Sequence, residues 1–180
     1  MLPLPLLADV SEAPLALADG RTIRFGRLSS AARPLIEQAM LRLSPTSSRR
    51  RFFTVRYRLS DRELDALTGP ETPERLALGA SAHFPDGRVE GVAVARYVRV
   101  PGDPLAAEVA VTVVDHYQRL GVGRRLLALL GREARRRGVQ RLTGHVLPDN
   151  VPMLALLDRH ARGLVRRMSA GLVAVEIPLS

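Results

Sequence analysis

The chain has 180 residues, 46% of them hydrophobic, which suits one domain of ordinary size with a buried core. Its formal charge of +9 comes from 27 basic and 18 acidic residues, and every basic residue is Arg. Zero Cys excludes disulfides, thiolate metal sites and a Cys nucleophile, and the four His show no metal-ligand spacing, so no metal is expected. The apolar start Met1 to Leu7 carries two Pro and lacks the basic opening of a signal peptide. No apolar run approaches the ~20 residues of a membrane span, so no membrane association and a cytoplasmic location are expected.

Residues 1–20, rich in Leu, Ala and Pro without a period, read as an irregular arm of a single domain covering 1–180. Thr22 to Leu28 alternates and predicts a strand. Ser29 or Ser30 can cap a helix to about Arg42, and a short helical piece is expected around Ser48 to Phe53. Ser60-Asp61-Arg62-Glu63 has the spacing of a capping box, and Thr72 to Arg75 suggests a further helical turn. Three strand-like segments follow, Leu76 to Phe84, Val89 to Val100 and Ala107 to Val114, joined at Pro85-Asp86-Gly87 and Pro101-Gly102-Asp103-Pro104. An amphipathic helix is expected over Val122 to Arg137, a strand over Arg141 to Leu147, a helix over Val151 to Arg162, and a closing hairpin over Leu164 to Ile177. The order describes an α+β (mixed α/β) domain around one central sheet.

The positive charge raises nucleic acid as a partner, but its distribution argues against it. Arg49-Arg50-Arg51 and Arg135-Arg136-Arg137 are short, distant runs, and only 4% of residues are aromatic. Both runs read as solvated surface, the second at a helix C-terminus where cations are favoured. No Gly-x-Ser-x-Gly elbow supports a Ser hydrolase. His83 and His145 read as packed strand residues.

The chemistry concentrates in Gln118-Arg119-Leu120-Gly121-Val122-Gly123, between a strand and a helix. A glycine turn at a helix N-terminus offers free backbone N–H groups and a positive dipole end, which suits a pyrophosphate. The spacing is neither a dinucleotide fingerprint nor a P-loop. Glu108 is the other notable residue, a lone charge at the head of the apolar run Val109-Ala110-Val111. Such a carboxylate can serve as a general base, the more readily if burial raises its pKa.

The glycine loop resembles the coenzyme A loop of the GNAT superfamily of N-acyltransferases. Leu43-Ser44-Pro45-Thr46-Ser47 with Arg51-Phe52-Phe53, Gly91 to Tyr97, Ala107 to Val111, and Val146 to Asn150 with Met153-Leu154 resemble bacterial Pat-type protein-lysine acetyltransferases. The resemblance implies a GNAT-like, mostly antiparallel twisted sheet of about seven strands with flanking helices. It implies transfer of an acetyl group from acetyl-CoA, as cosubstrate, directly to an amine, with a protein lysine first and a small-molecule amine second. It also implies Glu108 as general base and pantetheine pairing along Val111, Thr112 and Val113. An oxyanion donor at the N–H of Val113 or Val114 follows if the strand splays, which the family achieves with a bulge. Coenzyme binding is implied at Gln118, which opens the loop, pyrophosphate contacts at the N–H groups of Arg119, Leu120, Gly121, Val122, Gly123 and Arg124, and an amide contact at Asn150, which also reads as a helix cap. Many relatives carry a Tyr acid where this chain has Leu157; the thiolate then leaves unaided, or Tyr117 or His116 substitutes. A non-catalytic acyl-CoA-binding module is the reading from another class, and a homodimer stays open. Absence of Lys fits GC-rich codon usage, though an enzyme that acylates lysines would also gain from having none.

Overall fold

The structure is a computed structural model that describes residues 7–8 and 12–179. Two short strands, β1 (Leu7–Ala8) and β2 (Leu15–Ala16), pair with β3 (Thr22–Leu28). This corrects part of the expected irregular arm; residues 1–6 and 9–11 of it lie outside the described residues. A 3-10 turn at Ser30–Ala32 leads into α1 (Arg33–Leu41), then α2 (Pro45–Phe52) and α3 (Asp61–Thr68). The chain continues through β4 (Arg75–His83), β5 (Val89–Val100), β6 (Asp103–Val113), a 3-10 turn at Asp115–Tyr117 and α4 (Val122–Arg136). It ends with β7 (Arg141–Val146), α5 (Val151–His160), β8 (Val165–Ser169) and β9 (Leu172–Pro178).

The sheet order is β1-β3-β4-β5-β6-β7-β9-β8, with β2 also on β3. Every pairing is antiparallel except β6 with β7. Among the described residues the sheet has nine strands, β1 and β2 more than the expected number of about seven.

Helix α4 covers one face of the sheet because Val122, Leu126, Leu129, Leu130 and Ala134 recur at helical spacing and are all buried. They join Ile23, Leu78, Ala95 and Tyr97 in the main core. A smaller cluster of Ala32, Ile36, Leu64 and Leu67 packs α1 and α3 on Leu28, Ala77 and Val94, which project to the opposite face. At α3, Ser60 accepts the Glu63 N–H while the Glu63 carboxylate accepts the Ser60 N–H, the expected capping box. The expected helical turn at Thr72 is instead an isolated bridge to Arg75. The Arg runs are not merely solvated. Arg136 and Arg137 grip the buried Glu133, and Arg49 and Arg50 bind the Asp149 carboxylate and carbonyl, tying α2 to the loop before α5.

Candidate active site

β6 and β7 pair at only three positions, Ala106 with Arg141, Ala107 with Leu142 and Glu108 with Thr143. Both strands run on, β6 to Val113 and β7 to Val146, while β6 stays paired to β5 as far as Val113. The sheet therefore forks after Glu108, and a cleft of about 910 Å³ opens between the strands. Gly144 lies in the crotch; a Cβ there would stand 3.3 Å from the Val109 carbonyl oxygen. The expected splay is reached without a bulge in β6, whose register with β5 is constant from Ala107 to Val113. The bulge is one strand away, at Val92 of β5 against Ala80 and Ser81 of β4.

The backbone N–H of Val114 donates to the Val92 carbonyl at 2.9 Å. In an antiparallel ladder the groups alternate, so the N–H groups of Glu108, Ala110 and Thr112 also face β5. Those of Val109, Val111 and Val113 face the other way, the first toward Thr143 at the last β6–β7 pair and the other two into the cleft. Of the two oxyanion donors expected, Val113 is turned to the cleft and Val114 is turned away from it and buried.

The glycine loop closes one end of the cleft. Gly121 holds φ +83° with nothing within 4 Å of where a Cβ would stand, and Arg119 adopts φ +63°. No side chain caps α4. The N–H groups of Val122, Gly123 and Arg124, in the first turn, have no acceptor within the helix. Arg119 and Arg124 line the cleft with exposed side chains, whereas the Val122 side chain is buried in the core and Leu120 points outward. An open turn, uncapped donors and two guanidiniums fit a phosphorylated chain. Gln118 lines the cleft with its amide already engaged: Nε2 donates to the Val113 carbonyl and to Ser47 Oγ, both at 3.0 Å.

That strut belongs to a larger network. The Asp115 carboxylate accepts hydrogen bonds from the Ser44 N–H at 2.9 Å, Ser44 Oγ at 2.6 Å and Ser47 Oγ at 2.9 Å. Burial works to raise the Asp115 carboxyl, but the bonds from Ser44 and Ser47 outweigh it and hold it below the usual range. The start of α2 is thereby fixed to the turn that feeds the glycine loop. Nothing local in the sequence marks Asp115 for this role, because its partners are about 70 positions away in the chain.

Glu108 stands at the fork, lines the cleft and is exposed rather than enclosed. Residues paired across a ladder share a face, so Thr143, and two positions on His145, project to the same side as Glu108. His145 is exposed and lines the cleft, which corrects its reading as a packed residue. Two further cleft residues were not singled out for the site. Phe53, half-exposed, holds φ +61°, an outlier for a bulky side chain. Arg51 of α2 lines both the cleft and an adjoining apolar cavity of about 130 Å³. A bulky residue at positive φ is invisible to propensity rules, and Arg51 sits inside a run that reads as surface.

Asn150 is nearly buried, lines the cleft and caps α5, its Oδ1 accepting the Met153 N–H at 3.3 Å. Its Nδ2 makes no hydrogen bond among the described residues. Leu157 is buried against the same cleft. Neither expected substitute acid reaches it. The Tyr117 hydroxyl is buried and donates to Glu90 at 3.1 Å, with Arg21 over its ring. His116 is exposed on the 3-10 turn and does not line the cleft. Among the described residues no cluster could hold a metal, and no helix is long and apolar enough to cross a membrane.

The mixed sheet thus forks at its one parallel pair, with a glycine turn and a helix N-terminus at the open end. The acetyltransferase (GNAT) family model matches residues 46–161, and the chain belongs to that family. It is 41% identical over 86 residues to Acetyltransferase Pat of Mycolicibacterium smegmatis, a match covering 48% of this chain and 26% of that protein. It is 32% identical over 127 residues to Acetyltransferase PA5475 of Pseudomonas aeruginosa, covering 71% of this chain and 67% of the other. The crystal structure of the GNAT domain of S. lividans PAT superposes with a TM-score of 0.79 at 30% identity, covering 93% of this chain and 96% of that one. The chain thus spans about a quarter of the mycobacterial protein it matches but nearly the whole of the isolated GNAT domain.

Proposed function

We propose that the protein transfers the acetyl group of acetyl-CoA directly to an amine, in first place the side chain of a protein lysine, with Glu108 as general base. The observation that carries this reading is the fork itself: a carboxylate at the last paired position, cleft-facing N–H groups beyond it, and an uncapped helix N-terminus at the far end. In this reading the N–H groups of Val111 and Val113 receive the pantetheine arm as an added strand. The loop from Arg119 to Arg124 receives the pyrophosphate, and Asn150 Nδ2 an amide carbonyl. Glu108 takes the proton of the ammonium, directly or through one water, and the freed amine attacks the thioester carbon. The Val113 N–H faces the oxygen on which negative charge then develops. The C–N bond forms, the C–S bond breaks, and the second nitrogen proton passes to the departing thiolate, directly or through water, so that coenzyme A leaves as the thiol. A thiol with a reference pKa of about 8.5 leaves readily enough that Leu157 in place of an acid is compatible with turnover.

Similarity to Pat-type enzymes supports protein lysine as the first acceptor to try, ahead of small-molecule amines. The test is incubation with acetyl-CoA and lysine-containing peptides, reading free thiol release together with the mass of the product. Thiol release matched by acetylated lysine supports the reading. Donor binding without any transfer would favour the acyl-CoA-binding module instead.

A further inference from the structure

The arginines of α2 and the segment after it differ in how they are satisfied. Arg49 pairs with Asp149, Arg50 donates to the Asp149 carbonyl, and Arg56 makes a two-pronged contact with Glu63. Arg51 has no hydrogen bond or ion pair among the described residues; its one ring contact is the Phe52 face, 4.8 Å from the guanidinium carbon. Its position is not that of a surface cation. It lines both the cleft and the apolar cavity beside Leu43, Leu59 and Met40, and these two spaces also share Ala110 and Thr112. Desolvation brings the Arg51 guanidinium down to about 10, and the field of Arg96 acts the same way, against the opposing fields of Glu108 and Glu63.

Glu63 is already engaged by Arg56 and Ser60. Arg96, which also lines the apolar cavity, has no hydrogen bond or ion pair among the described residues. Arg51 and Arg96 thus both line the apolar cavity, and of the two only Arg51 also lines the cleft that holds the Glu108 carboxylate. An incoming ammonium meets the Arg51 guanidinium there as well as the carboxylate. An enclosed charge without a partner is costly, and an anion brought by the ligand relieves both problems at once.

We infer that the acceptor is an amine accompanied by a carboxylate, and that Arg51 is the specificity-determining residue that receives this carboxylate while the amine reaches Glu108. This rests on the amine-acylation reading above. With a protein lysine as acceptor, the carboxylate comes from a neighbouring Glu or Asp; with a small acceptor, it is that of an amino acid.

The test uses two peptides of equal length, one with Glu and one with Gln on each side of a single lysine, and free glutamate as a third acceptor, all with acetyl-CoA. The Glu-flanked peptide is expected to show a KM about tenfold below that of the Gln-flanked one, with similar kcat. In Arg51→Gln the two KM values converge, and in Arg51→Lys the gap is partly restored. Equal KM values in the unaltered protein overturn the inference without any variant. So does a gap that survives in folded Arg51→Gln, or a variant that shifts the pH profile of kcat for both peptides alike, which means Arg51 serves only Glu108. Acetylation of glutamate with neither peptide modified supports the carboxylate requirement and removes protein lysine as acceptor. Transfer to none of the three, with acetyl-CoA bound, overturns both readings.

Discussion

Glu108 and Thr143 form the last pair between β6 and β7, and the sheet opens immediately beyond them. The single parallel pairing is cut to three positions, so the polar backbone edge of Val111 to Val113 is left facing a cleft instead of a neighbouring strand. An unpaired edge in the middle of a sheet is a costly arrangement unless an extended ligand completes it. The carboxylate is positioned by the strand that supplies that edge.

The glycine loop makes the first prediction. Gly121 has room for a side chain, so the penalty for Gly121→Ala is conformational, about 1–2 kcal/mol for a residue held at positive φ. The backbone relaxes at the expense of the N–H array. Acetyl-CoA affinity, measured by calorimetry, is expected to fall about tenfold while the protein stays folded.

Asp115 makes the second. Replacing it with Asn removes a charged acceptor shared by Ser44 and Ser47 and slackens Gln118 against Val113. Asp115→Asn is expected to cost about 2 kcal/mol in urea unfolding and to raise KM for the donor more than it lowers kcat. A fall confined to kcat would contradict this positioning role.

Tyr117 makes the third. Its hydroxyl is buried against Glu90 and Arg21, and burial pushes its ionisation above the usual phenol range. Tyr117→Phe is therefore expected to keep kcat within about twofold while losing about 1 kcal/mol of stability. A kcat loss of a hundredfold would make Tyr117 the missing acid.

Glu63 makes the fourth, through pH. The hydrogen bonds from Arg56, reinforced by Ser60, hold its carboxyl at about 2, below an ordinary value of 4.5. A depressed folded-state pKa stabilises the fold above the unfolded value and loses that effect as the group protonates. The melting temperature of the unaltered protein should exceed that of Glu63→Gln at pH 7. The difference should shrink from about pH 4.5 downward and vanish near pH 2.

Much of this architecture can be read along the chain, because its signals are local. The alternation of Thr22 to Leu28 gives β3 to the residue, the Ser60–Glu63 spacing gives the α3 cap, and the four-residue rhythm from Val122 to Leu130 gives α4. Helix α2 begins earlier than expected, at Pro45, because Ser44 caps it by accepting the Ser47 N–H. The site is legible where it is a motif, as in the glycine loop, and illegible where it depends on distant partners. Val113 and Val114 are indistinguishable until a single bond, from Val114 to Val92, fixes which N–H faces the cleft. His145 reads as a core residue because its neighbours are apolar, yet the fork exposes it. Arg51 reads as one of three surface arginines because adjacency in sequence hides that its neighbours reach Asp149 and it does not.

The most direct measurement is the steady-state rate of Glu108→Gln with acetyl-CoA and a lysine peptide, alongside the Kd for acetyl-CoA. Loss of a general base is expected to lower kcat by about 10²–10⁴-fold and to remove the basic-group limb of the pH profile, with the donor Kd unchanged. Unaltered kcat at unchanged donor affinity would contradict the assignment of Glu108 as the base.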